Sequence, residues 1–410
     1  MKILIVEEAL RGLKGHWFQY VSDIVNGGLR MGHQIEVAVH KDACHEILVA
    51  LPCRPILNET AFDGRTAPAR GIKRIKRIIG HNRSLYHDLS SLLAAGNSYD
   101  VIIATTVRID HLLAYLWLLW RFRGRGFGKL VLLFIESVGR YTSNYSQLHF
   151  SAKSYPLKVT LILCRLLMRR YPVFLVTESQ GLARQYEQLC GINFPIVPHV
   201  TTLPPWNLFK TYKHNVSTNP DPPLILSTFG FTRFDKGLDI LQDAIRILGQ
   251  RDARRKMRFI LQWTGDYRLP SGARIHRDPQ LLRDPFVQYI PAFSSSRQYY
   301  EQLANTDIIV MPYRRAFYFD KLSRVAIDAA LAGVPFVYPA GTWLESFANI
   351  HGSGVAFQEE DPVSLADAIS EVVATFAEIK SKAETRQQTV ASAFSAKAFF
   401  DRIESFQPTT

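Results

Sequence analysis

Residues 226–248 read LSTFGFTRFDKGLDILQDAIRIL, and the apolar period changes in the middle of that stretch. LILSTFG (224–230) is a short, nearly continuous apolar run, the pattern of a strand covered on both faces. From Gly237 to Leu248 the apolar residues recur at helical spacing. The loop between holds Arg233 and Lys236. A strand passing through a glycine-bearing loop into a helix is the opening of a βαβ unit. Two cations at the carboxyl end of such a strand, with free amides at the helix start, suit a diphosphate. A turn whose cations only face solvent is the other reading of the same residues.

The same alternation extends in both directions. Downstream, RFILQWTG (258–265), VQYI (287–290), DIIVMPY (307–313) and PFVYPA (335–340) read as strands. Residues 322–332, 362–376 and 395–406 read as helices. Upstream, 201–223 is rich in proline, asparagine and serine and reads as a linker. Before it come the strands KILIVEE, QIEVAVH, VIIATT, LVLLFIE, VFLVTES and IVPHV, with helices at 16–31, 110–120 and 156–170. Strands alternating with helices predict parallel sheets covered on both faces. The expected fold class is therefore α/β with two Rossmann-like, doubly wound domains facing across a cleft. The expected boundaries are 1–205, a linker at 206–223, 224–394, and a C-terminal helix at 395–410 packing back towards the first domain.

Composition narrows the function. The chain has 410 residues, 47% of them hydrophobic and 21% charged, which excludes a disordered chain. No apolar run is long enough to span a bilayer, and the N-terminus reads as a first strand rather than a secretory signal. The four cysteines form no CxxC pair and read as reduced thiols of a cytoplasmic protein. Net charge is +13, and it is unevenly placed: residues 1–200 hold 25 Lys and Arg against 14 Asp and Glu, whereas 201–410 hold 24 against 22. Within the first half, Lys73, Arg74, Lys76 and Arg77 interleave with Ile72, Ile75 and Ile79, which share one helical face. A basic amphipathic helix of this kind fits an anionic membrane surface or, equally simply, a solvated face over a core. Nothing resembles an RRM, KH or zinc-finger pattern, so no nucleic-acid partner is expected.

A second stretch, MPYRRAFYFDKLSRVAIDAALAGVPFVYPAG (311–341), places Asp320 before a helix and Asp328 within it, among Val325, Ala326, Ile327, Ala329 and Ala330. A carboxylate in so apolar a setting needs a partner, either a diol or a nearby arginine.

These two stretches together resemble the retaining family-4 glycosyltransferases of GT-B fold. In that family two glutamates separated by seven residues precede an A-x-A-x-G-x-P-V-V-like run. Here Asp320 and Asp328 stand at that spacing before AALAGVPFV. The 226–237 loop is similar to the family form F-G-x-I-R-x-x-K-G, and KILIVEEALRGLKGH and GHQIEVAVH resemble its first strands and glycine loop. The resemblance implies a hexosyl- or other glycosyltransferase moving a sugar from a nucleotide-diphosphate sugar to a hydroxyl of a glycan or lipid-linked acceptor. It implies that Arg233, Lys236 and Asp320 act on the donor, with Gly230, Leu322, Ser323 and Asp328 binding it and Gly12 and Gly15 facing its phosphates. It implies no metal and no other cofactor, and the chain lacks an Asp-x-Asp metal motif.

Departures mark where this chain is individual. Both glutamates are aspartates, one methylene shorter. Glu136 stands where many members carry histidine, and Pro198-His199-Val200 replaces a P-N-G-V-D run. His16, Glu136 and His199 are accordingly acceptor-side or cleft residues on this reading. The competing expectations are a nucleotide-sugar epimerase and an inactive nucleotide-sugar-binding scaffold subunit.

Overall fold

The computed structural model describes residues 1–13, 16–62, 71–122, 125–142, 144–203, 222–251 and 256–407. Gly15, the His16 side chain and residues 206–221 of the expected linker lie outside the described residues. The chain divides into two compact units, the first comprising Met1–Val200 and Phe394–Thr410 and the second Thr201–Ala393.

Unit one runs β1 (Lys2–Glu7), α1 (His16–Arg30), β2 (Gln34–His40), α2 (His45–Ala50), β3 (Cys53–Leu57), α3 (Gly71–Ala94), β4 (Tyr99–Ala104), α4 (Ile109–Phe122), β5 (Phe127–Leu133), the hairpin β6 (Arg140–Tyr141) and β7 (Leu148–His149), α5 (Tyr155–Met168), β8 (Val173–Val176) and α6 (Gln180–Cys190). Its main sheet is parallel in the order β3-β2-β1-β4-β5-β8. Because side chains alternate across a strand, β1 feeds two cores. Leu4 and Val6 join Leu85, Leu89, Leu112 and Leu116 of α3 and α4, while Ile3 and Ile5 join Val21, Ile24 and Val25 of α1. Two covered faces explain why these strands read as unbroken apolar runs.

Unit two repeats the plan with β9 (Leu224–Thr228), α7 (Leu238–Gln250), β10 (Met257–Gln262), the hairpin β11 (Tyr267–Arg268) and β12 (Arg274–Ile275), β13 (Val287–Ile290), α8 (Ser296–Ala304), β14 (Ile308–Val310), α9 (Arg315–Tyr318), α10 (Arg324–Leu331), β15 (Phe336–Pro339), α11 (Trp343–Ile350), β16 (Gly354–Phe357), α12 (Pro362–Ala374) and α13 (Phe376–Ala393). The parallel order β13-β10-β9-β14-β15-β16 has the same topology as unit one. Asp361 caps α12 by accepting from the amides of Val363 and Ser364 at 2.8 and 3.1 Å, a contribution of about 1 kcal/mol.

The last helix, α14 (Ala396–Glu404), belongs to unit one, where Phe399, Phe400, Ile403 and Phe406 complete the α1-side core. Gly27 of α1 permits that approach, since a Cβ there would sit 2.0 Å from the Ala396 Cβ.

Two expectations need correction. IVPHV is not a strand: Thr177 and Ile196 form only an isolated bridge, because Pro195 and Pro198 lack the amides a ladder needs. The sheets also hold β3 and β16, which the sequence pattern did not distinguish from loop. No helix among the described residues is long and apolar enough to cross a membrane. The four cysteines are free, and burial pushes the Cys164 thiol up to about 12.

Candidate functional site

Both sheets reverse strand order beside their first strand, between β1 and β4 and between β9 and β14. Doubly wound sheets bind ligands at the carboxyl ends of the strands flanking that point.

In unit two this edge carries most of the residues singled out from the sequence. After β9, Gly230 adopts φ 117° and donates its amide to the Gln262 Oε1 at 2.6 Å. Lys236 lies over it, with Cε 3.5 Å from where a Gly230 Cβ would be. The Phe234–Lys236 turn ends at Gly237, whose φ of 63° and closeness to the Pro312 carbonyl leave no room for a side chain: a Cβ would lie 1.9 Å from that oxygen. The turn is pinned by Arg314, buried and bonded to the Asp239 carboxylate at 2.6 and 3.1 Å and to Glu360 at 2.8 Å, with its guanidinium 4.0 Å above the Phe234 ring.

Lys236 is the unusual group. It is only 8% exposed, and its Nζ lies 3.6 Å from the centre of the Tyr313 ring and 4.8 Å from that of Tyr318. Among the described residues no carboxylate forms an ion pair with it. Burial holds its pKa well below the ordinary lysine value; Asp235 opposes this and Arg233 and Lys321 reinforce it. A buried cation held against aromatic faces, with no ion-pair partner among the described residues, can take an anion as its counter-charge. Arg233 is exposed and pairs with Asp235 at 2.9 Å.

Asp320 and Leu322 are half-buried in the loop between α9 and α10. Ser323 is buried at the N-cap of α10, its hydroxyl towards the Met311 sulfur at 4.0 Å. Asp328 is 1% exposed. The partners that its apolar sequence context demanded are the Tyr299 hydroxyl, which donates to Oδ2 at 2.9 Å, and Arg324 Nε at 3.6 Å. The Tyr299 ring in turn packs edge-on against Phe229 at 5.5 Å, which links Asp328 to the end of β9.

In unit one, the end of β1 holds two buried glutamates. Glu7 accepts from the Thr105 and Thr106 hydroxyls at 2.7 and 2.9 Å, and burial raises its pKa. Glu8 joins His81 Nε2 at 2.8 Å, His111 Nε2 at 2.9 Å and the Ala61 amide at 2.6 Å. Burial alone would raise the Glu8 pKa, but the two rings more than reverse this and hold it well below the carboxylate range. Glu8, His81 and His111 are close enough to hold a metal ion. The tautomer argues otherwise: His111 Nδ1 accepts the Arg108 amide at 3.0 Å, so Nε2 carries the proton and donates to Glu8. The cluster is a polar clamp joining β1, α3 and α4, and no motif marked it because its members lie 73 and 103 residues apart.

Gly12 stands in open space after β1, with nothing within 4 Å of a Cβ position. Glu136 is exposed and meets Arg108 Nε at 3.4 Å. His199 is buried, stacks on Tyr20 at 4.4 Å and bonds Glu178 through Nδ1 at 2.6 Å; its Nε2 has no hydrogen-bond partner among the described residues. The sequence reading missed Tyr313, Tyr318 and Arg314, which read as ordinary residues after a strand; MPYRR carried no signal that two rings would enclose Lys236.

No family model matches the chain, and no curated protein matches it. Solved structures do. Anabaena Alr3699/HepE in complex with UDP and glucose is 16% identical over 98% of each chain, with a TM-score of 0.63. Sucrose-phosphate synthase from Thermosynechococcus elongatus is 14% identical over 98% of this chain and 97% of that one, with a TM-score of 0.62. The catalytic domain of starch synthase IV from Arabidopsis thaliana, bound to ADP and acarbose, is 13% identical over 98% and 99%, with a TM-score of 0.62. The chain has the GT-B fold of these glycosyltransferases.

Proposed function

We propose that the protein is a retaining, nucleotide-sugar-dependent glycosyltransferase of the family-4 type. Lys236 carries this reading: a buried ammonium with no salt-bridge partner among the described residues, at the edge where a doubly wound sheet receives its ligand. The donor diphosphate supplies the missing negative charge, and Arg233 adds a planar fork at the exposed side. With both cations neutralising the leaving group, the reading calls for no divalent ion. Asp320 contacts the transferred sugar. Asp328, through Tyr299 and Arg324, holds the start of α10 against the nucleotide. The departing phosphate oxygen takes the proton of the attacking acceptor hydroxyl on the same face of the sugar, so that catalysis is positioning and electrostatics. Solved relatives of this fold bound to UDP, UDP-glucose and ADP support the donor class.

Unit one receives the acceptor, a glycan or lipid-linked glycan. Peripheral contact with the cytoplasmic face of an anionic membrane belongs to the same reading, because Ile72, Ile75 and Ile79 stand exposed on α3 beside Lys73, Lys76 and Arg77.

The test is a thermal-shift screen with UDP-, GDP-, ADP- and dTDP-sugars, since a ligand that binds only the folded state raises its melting temperature. One sugar nucleotide should stabilise the protein. Absence of any shift overturns the reading. Turnover of the donor without an acceptor, giving an isomeric sugar, marks an epimerase instead. Binding with neither transfer nor hydrolysis marks a scaffold subunit.

A further inference from the structure

Unit one contains a cavity of about 420 Å³ at the carboxyl edge of β4 and β5. Its lining includes four cations, Arg74 from α3, Arg108 after β4, Arg140 from β6 and Lys153 just before α5, against a single carboxylate, Glu136. Glu136 is engaged by Arg108 at 3.4 Å. Among the described residues no carboxylate lies in ion-pair range of Arg74, Arg140 or Lys153. Arg74 is half-buried and Arg140 and Lys153 are exposed, so these cations line the mouth of the concavity and leave it net positive, which favours an entering anion.

The helix that starts at this cavity has an unusual outer face. Leu157 of α5 lines the cavity, and Leu161 and Cys164 are buried on the core side. On the opposite side Tyr155, Val159, Ile162, Leu163 and Leu166 fall within about 100° of arc at the helical repeat, and they are between 42% and 61% exposed. Lys158 and Arg165 run along one edge of this stripe, and Arg169 and Arg170 follow it. An apolar stripe edged by cations is complementary to the acyl–headgroup boundary of an anionic bilayer.

Resting on the glycosyltransferase reading, we propose that the acceptor glycan, which supplies the attacking hydroxyl, is carried on a lipid phosphate or diphosphate: the phosphoryl group of that carrier sits among Arg74, Arg108, Arg140 and Lys153 while the outer face of α5 lies on the membrane that holds its tail. The cavity lies on the core side of α5 and the stripe on its outer side; they approach each other at the N-terminal end of the helix, where Lys153 and Ser154 line the cavity and Tyr155 begins the stripe, and there an amphiphile passes from one to the other.

Calorimetry with geranyl diphosphate and with inorganic pyrophosphate tests the cavity, using the Lys236→Ala variant so that unit two contributes no diphosphate site. Geranyl diphosphate should bind this variant more tightly than pyrophosphate does. Adding Arg140→Ala and Lys153→Ala should weaken it by about tenfold per cation lost, the scale of a charged hydrogen bond. Unchanged affinity after both substitutions overturns the cavity assignment, and equal affinity for the two probes overturns the lipid source. The membrane arm is co-sedimentation with phosphatidylcholine vesicles with and without phosphatidylglycerol. The wild type should pellet with the anionic vesicles, and Val159→Ser/Ile162→Ser/Leu166→Ser should pellet severalfold less, the basic face of α3 supplying what remains, with its thermal melt preserved because these side chains are exposed. Pelleting equal to that of the wild type overturns the α5 membrane face, as does a dimer in light scattering that this triple variant dissolves. Nucleotide binding by the wild-type protein is scored separately, so loss of the donor reading is visible independently of these results.

Discussion

Replacing Lys236 by methionine separates a binding role from a structural one. Methionine keeps the length and the apolar stem packed on Tyr313 and removes only the charge. In the absence of ligand, that charge is held against a burial penalty strong enough to depress its pKa. The contact with the Tyr313 ring returns part of the penalty, about 2 kcal/mol for a desolvated cation on an aromatic face. The two terms oppose each other, so the variant should melt within a few degrees of the wild type or above it. Nucleotide-diphosphate affinity should behave differently. One charged hydrogen bond is worth about 1.5–3 kcal/mol, which is roughly tenfold to more than a hundredfold in Kd.

The pH dependence has a definite sign. The folded-state pKa of Lys236 is depressed, so the unfolded chain binds more protons between that value and the ordinary one at 10.5, and the stability contributed by this group rises with pH through the interval. A bound diphosphate restores the charge. Binding therefore takes up a proton above the ligand-free pKa, and affinity falls as pH rises. Calorimetry in two buffers of different ionisation enthalpy reads the proton directly, and differential scanning fluorimetry reads the stability. Undiminished nucleotide affinity in Lys236→Met, or a collapse of the unliganded fold, would refute the reasoning.

Asp328→Ala should destabilise unit two by about 3–5 kcal/mol, because it removes the buried carboxylate that faces Arg324 and accepts from the Tyr299 hydroxyl; urea unfolding checks this, and a loss below 1 kcal/mol would count against it. The Glu8–His81 pair should stabilise unit one most between pH about 4.5 and 6.5. His81, with its pKa raised, contributes fully below 6.5 and loses the contribution as pH rises through its folded value, whereas Glu8, held low, contributes above 4.5 and loses it as pH falls. The urea-midpoint difference between wild type and His81→Gln should peak in that window, and a flat difference counts against it. Gly237→Ala should cost more than the about 1–2 kcal/mol of left-handed backbone alone, since its Cβ meets the Pro312 carbonyl; a melt equal to wild type would contradict the close approach.

The two sheets were legible because a parallel strand covered on both faces is apolar nearly throughout, as ILIV (3–6) and VIIA (101–104) are. The short β16 was not: Gly354-Val355-Ala356-Phe357 has too few residues for a period to emerge. Arg233, Lys236, Asp320 and Asp328 could be selected because chemistry was concentrated in two loops. What surrounds them could not, because Tyr313 and Tyr318 reach Lys236 across 77 and 82 residues of chain. Burial hides in the same way. The helical spacing of Ile72, Ile75 and Ile79 is what a buried face also shows, and only packing reveals that they stand exposed.

The closing helix has a consequence for biogenesis. Phe399, Phe400 and Ile403 fill the same apolar cluster as Ile3, Ile5 and Ile24, although the whole of unit two is translated between them. The lobe begun first on the ribosome is therefore finished last. Until the final turns emerge, the groove along Gly27 and Gly28 of α1 stays open to water, a natural hold point for a chaperone and a place where premature termination leaves a sticky, incomplete lobe.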